Sequence, residues 1–231
     1  MERKAHEIRL TFDYFTIFAP KMKNVLTELG NVPVSSSTIL SLYPDLKSKR
    51  TKIATLEKAN EIIRLKRNLF IVNPDETGIR LSTGLIANHL LAPSYVSMHT
   101  ALRYYGLIPE AVYTVQSMTF KAARDFYTPV GNFRYLHISK ESYPIGITQI
   151  KEGNAVYVMA TPEKALCDLL ANLPGVNLRF KKEALSFLED DLRLDMEGFH
   201  TFDRTILEEY AKVGKKATSV QTIIKLLCDY E

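Results

Sequence analysis

Between Ser35 and Val72 the apolar residues follow a helical rhythm and then a strand rhythm. Ser35, Ser36 and Ser37 stand where a short helix over residues 38–42 would be capped, and Pro44-Asp45 marks a turn. Ser48 then stands where a second helix would begin. On that helix Ile53 and Leu56 share an inward face, while Thr51, Lys52, Thr55 and Lys58 spread over the outward side. Beyond Asn60 the pattern becomes Ile62–Leu65, the polar Lys66-Arg67-Asn68, and Leu69–Val72, which predicts a hairpin. Asn60 and Asn68 sit at the two points where the backbone should turn left-handed, a conformation that Asn tolerates better than any residue except Gly. Helix, turn, helix and hairpin in this order predict a winged helix-turn-helix over residues 35–72.

Residues 73–83, NPDETGIRLST, break the pattern with Asn-Pro, Gly and short polar side chains, which places a boundary there. After it, Met98, Ala101, Leu102 and Tyr105 recur at helical spacing behind Ser97 as N-cap, and Gly106 supplies the stop. Segments 112–119, 133–139 and 155–160 are rich in β-branched and aromatic residues and are separated by turn signals, so they read as strands. Thr161 as N-cap and Pro162 at the first helical position open a helix with Ala165, Leu166, Leu169 and Leu170 on one face. Further helices are expected over 184–188, 206–211 and 220–227. The expected fold class is α+β: a winged helix-turn-helix domain at 1–76, then a domain at 77–231 with a small mixed or antiparallel sheet and several helices.

Charge sharpens this picture. The whole chain carries a formal net charge of only +4, but residues 1–80 hold +5 and residues 81–231 hold −1. Within 47–67, eight basic residues face only Glu57 and Glu61. An exposed helix face of Lys and Thr suits a major groove, and basic side chains at the helix start and hairpin tip would neutralise phosphates. The expected DNA-binding set is Ser36, Ser37, Lys47, Lys49, Arg50, Thr51, Lys52, Thr55, Lys58, Lys66 and Arg67.

The segments EKANEIIRLKRNLFIVNP, SYVSMHTALRYYGLIPE, TPVGNFRYLHIS and ATPEKALCDLL occur in that order along the chain. This ordered set resembles the AbiEi family of type IV antitoxins from bacterial abortive-infection (viral defence) systems, over most of residues 10–170 and more loosely beyond. Members of that family often carry Gly where this chain has Asn60 and Asn68. The resemblance implies an N-terminal winged helix that represses its own operon and a C-terminal domain that antagonises a nucleotidyltransferase toxin. The implied partners are therefore duplex DNA of the chain's own promoter and, as functional partner, that toxin.

Other residues favour bland roles. Thr161, Pro162, Glu163 and Lys164 read as a helix start. One of Tyr104 and Tyr105 is expected in the core and the other half-exposed, and His137, alternating with Phe133 and Tyr135, is expected to be packed. Cys167 and Cys228 lie in apolar patterns as buried reduced thiols. The five histidines are scattered, and no phosphate loop, carboxylate pair or Cys-His spacing stands out, so neither an enzyme nor a cofactor or metal is expected. The competing reading is a protein-interaction module that does not bind DNA. With a charged start and no long apolar run, the chain is expected to be cytoplasmic and to stay off the membrane. On DNA it is expected to act as cooperative monomers or a weak dimer.

Overall fold

The computed structural model describes residues 25–46 and 48–229, and its architecture is mixed α+β. A 3-10 helix at Val25–Leu29 precedes α1 (Ser36–Ser41), α2 (Lys49–Lys58) and an antiparallel hairpin of β1 (Ile62–Lys66) and β2 (Leu69–Val72). Ser35 caps α1 as its pattern predicts, its hydroxyl accepting from the Thr38 N–H at 3.2 Å. Ser48 precedes α2 without bonding the helix backbone, and its hydroxyl instead meets that of Thr51 at 2.7 Å. Asn60 and Asn68 adopt φ of 58° and 60°, the left-handed turns expected at both positions.

The larger part begins with α3 (Pro74–Thr77) and α4 (Thr83–Leu90). Its sheet has six strands: β3 (Tyr95–Val96), β4 (Thr114–Thr119), β5 (Arg124–Thr128), β6 (Gly131–His137), β7 (Ile147–Glu152) and β8 (Ala155–Ala160). Their order is β5-β6-β4-β3-β8-β7, with β4 parallel to β6, β3 parallel to β8 and the remaining pairs antiparallel. Helices α5 (Met98–Tyr104), α6 (Pro162–Asn172), α7 (Lys181–Ser186), α8 (Met196–Phe199), α9 (Arg204–Val213) and α10 (Ala217–Leu227) complete it, and α7 runs on into one π turn at Phe187–Asp191. The apolar pattern foretold β4, β6 and β8 but not β3, β5 or β7. β5 and β7 are the two edges of the sheet and neither has a fully buried residue, so backbone pairing rather than side-chain alternation defines them.

Buried apolar side chains fall into two clusters. The smaller gathers Leu26, Ile39, Ile53, Leu56, Ile62, Phe70 and Val72. The larger lies on the six-stranded sheet and also takes in Leu65 and Ile71, so β1 and β2 send residues into both cores. Val34 adds a third rung, exchanging backbone hydrogen bonds with Phe70 at 2.8 and 2.9 Å.

Helix α6 departs most from its expected role. Thr161 caps it and Pro162 sits in its first turn, but every residue from Glu163 to Leu170 is buried, the charged Glu163, Lys164 and Asp168 among them. Lys164 donates to the Ser142 carbonyl at 2.6 Å and lies 3.4 Å from Asp168, with both side chains fully buried. The Asp168 carboxylate also accepts from the Tyr95 hydroxyl at 2.9 Å and the Ser97 hydroxyl at 2.8 Å. Burial raises the Asp168 pKa and lowers that of Lys164, and the partners pull each group back toward its charged form. Ser97, expected as the N-cap of α5, makes no cap bond because its hydroxyl is committed to this carboxylate. His137, expected to be packed, is exposed, since the strand ends there and only Phe133 and Tyr135 lie over the core. Cys228 is half-buried rather than buried, while Cys167 lies in the core.

Removing one member of a buried ion pair strands the other charge. Lys164→Met or Asp168→Leu alone is expected to lower unfolding free energy in urea by about 3–5 kcal/mol, and the double variant by less than the sum. Additive losses would show that the two groups are not coupled.

Candidate nucleic-acid interface

Helix α2 is held by one face. Ile53 and Leu56 enter the small core, and Thr51, Ala54, Thr55, Lys58 and Lys49 are exposed. The exposed hydroxyls are locally satisfied, Thr51 by Ser48 and Thr55 by donating to the Thr51 carbonyl at 3.0 Å. Lys52 is half-buried with its ammonium 4.3 Å from the centre of the Tyr43 ring, so it lies along the protein rather than projecting freely. Lys47 lies outside the described residues, as does the side chain of Arg50.

Ser36 and Asn68 tie the start of α1 to the hairpin tip. The Ser36 N–H and hydroxyl both donate to the Asn68 side-chain oxygen, at 3.3 and 2.5 Å. Ser37 is exposed, its hydroxyl 2.6 Å from that of Ser35. Ser36, Lys49, Ala54, Arg64 and Asn68 border one open groove of about 410 Å³ between α1, α2 and the hairpin. Within it Arg64 is neutralised: its guanidinium grips Glu57 through two bonds of 2.7 and 2.5 Å and lies 4.7 Å from the Phe70 ring centre. Among the described residues no carboxylate pairs with Lys49, Lys58 or Arg67.

Lys66 and Arg67 part company at the tip. Arg67 is exposed, whereas Lys66 turns toward the larger sheet and donates to the Leu90 carbonyl at 2.5 Å. Burial lowers the Lys66 pKa, and the nearby charges of Arg124 and Lys121 lower it further. Lys121 donates to the Ala92 carbonyl at 2.5 Å, and Arg124 lies 5.3 Å from the centre of the Phe126 ring. Positive charge therefore continues from α2 across the tip onto the β4–β5 connection and β5. The sequence hid this extension because Lys121 and Arg124 lie in a segment whose summed charge is −1.

Among the described residues no group of three or more His, Cys, Asp or Glu side chains is placed to hold a metal ion. Nor, among them, is any helix long and apolar enough to cross a membrane. Comparison of the chain with protein-family models and with curated proteins finds no match.

A left-handed turn at Asn60 joins α2 to the hairpin. In urea denaturation Asn60→Ala is expected to cost about 1 kcal/mol and Asn60→Gly less, because Gly carries no Cβ penalty at positive φ. Equal losses would mean that backbone conformation is not what Asn60 supplies.

Proposed function

We propose that residues 35–72 form a winged helix-turn-helix that binds duplex DNA, with α2 in the major groove and the β1–β2 tip against the phosphates, and that the protein is a cytoplasmic transcription regulator. The observation that carries this reading is the exposed face of Lys49, Thr51, Thr55 and Lys58, continued by Arg67 and free of acidic partners among the described residues. Lys49, Lys58 and Arg67 would supply affinity by releasing counterions, and Thr51 and Thr55 would meet base edges. Lys66, held on Leu90, contributes field rather than a direct contact. The resemblance to the AbiEi antitoxins extends the proposal: the DNA is the protein's own promoter, and the larger domain antagonises a nucleotidyltransferase toxin encoded beside it. On this reading the protein is not an enzyme.

Fluorescence anisotropy with promoter DNA at several salt concentrations tests the binding. The slope of log affinity against log salt is expected to shrink by roughly 0.9 for each phosphate that Lys49→Ala or Lys58→Ala leaves without its cation. Lys182→Ala, at an exposed position of α7, is expected to leave it unchanged. DNA binding that is absent at low salt, or slopes equally altered by all three changes, would contradict the proposal. For the antitoxin role, co-expression is expected to restore growth of cells carrying the adjacent toxin gene.

A further inference from the structure

A cleft of about 510 Å³ opens between the start of α4, helix α5 and the adjoining strand ends, and shares no residue with the proposed DNA surface. Its volume falls within the range of small-molecule sites. Tyrosine dominates its rim: Tyr113 is 89% exposed and Tyr104 49% exposed, both high for aromatic side chains with no covering element. Tyr157 closes the cleft from below, where its ring lies so close to Gly84 that any Cβ there would fall 2.3 Å from it. Gly84 is thus required for the ring to take its place.

Two charged groups border the same cleft. Arg103 donates to the Ile108 carbonyl at 3.1 Å, which leaves most of its guanidinium donors unused, and among the described residues it has no ion-pair partner. Glu152 accepts from the Ser82 hydroxyl at 2.8 Å through one oxygen and can accept again. Burial, with Glu152 and the neighbouring tyrosines adding to it, raises the Tyr157 pKa and keeps that phenol neutral. The cleft thus combines aromatic faces, one unpaired cation and one carboxylate acceptor.

We propose that this cleft binds a small planar molecule with an acidic group at one end and an N–H donor at the other. The ring lies against Tyr104 and Tyr113, the acid meets Arg103 and the donor meets Glu152. Two sources share this chemistry: a nucleoside monophosphate whose base carries an amine, and an aromatic acid with an amine on the opposite side of its ring. Calorimetric titration of the full chain without DNA, using AMP and 4-aminobenzoate as separate probes, distinguishes them. Binding of either probe at one site per chain is expected, and the probe that binds names the source. Arg103→Met is expected to weaken it by about tenfold or more, as for loss of a hydrogen bond to a charged group. Tyr113→Ala is expected to weaken it roughly threefold by removing a stacked ring, and at 89% exposure this side chain contributes little to folding. Absence of heat with both probes, or unchanged affinity in both variants, overturns the proposal.

Discussion

A two-stranded hairpin has two faces, and in this chain both are covered. Ile62, Phe70 and Val72 enter the core beneath α1 and α2, and Leu65 and Ile71 enter the core of the six-stranded sheet. Because strand side chains alternate, a one-residue slip in the β1–β2 register would exchange the two sets and empty both cores together. The bulge between Arg64 and Lys66 keeps the register from Ile62 to Arg64 while turning Lys66 toward Leu90. The position of α2 relative to the larger sheet follows from this constraint, since Ile53 and Leu56 pack in the core that Ile62 and Phe70 share.

Electrostatics is layered on that frame. Glu57 neutralises Arg64 at the root of the hairpin, so the basic charge without acidic partners stands on the outer side of α2 and at the tip. On the other flank, Lys66 reaches the carbonyl of Leu90, the last residue of α4, where the helix dipole is negative, and Lys121 reaches that of Ala92 just beyond it. These contacts offset the mutual repulsion of a cluster without an acidic partner among the described residues. Deeper in the larger part, Lys164 and Asp168 show the opposite arrangement, with charges fully buried and matched by donors and carbonyls. That network connects β3, α6 and the Ser142 loop.

Local signals were readable where local chemistry decides the outcome. Asn60 and Asn68 disclosed their left-handed turns, Thr161 and Pro162 disclosed the start of α6, and Ile53 and Leu56 disclosed the inner face of α2. What stayed hidden depends on distant partners. β5 and β7 exist because β6 and β8 offer them backbone groups, and their own side chains show little periodic burial. Lys164 read as part of a helix start and Asp168 was not singled out, although their spacing of four places both on one face. Of the expected DNA-binding set, Ser37, Lys49, Thr51, Thr55, Lys58 and Arg67 stand exposed, while Lys52 is drawn onto Tyr43 and Lys66 onto Leu90. Tyr43 and Leu90 lie 9 and 24 positions from those lysines, beyond the reach of a pattern read along one helix or strand.

Native-state hydrogen exchange tests the shared hairpin most directly, because it reports the free energy at which each hydrogen-bonded amide opens. If β1 and β2 belong to both cores, the amides of their ladder open at the same free energy as those of the β4–β6 ladder. Opening of the hairpin amides together with α2 at lower free energy, while β4 and β6 stay closed, would contradict the account.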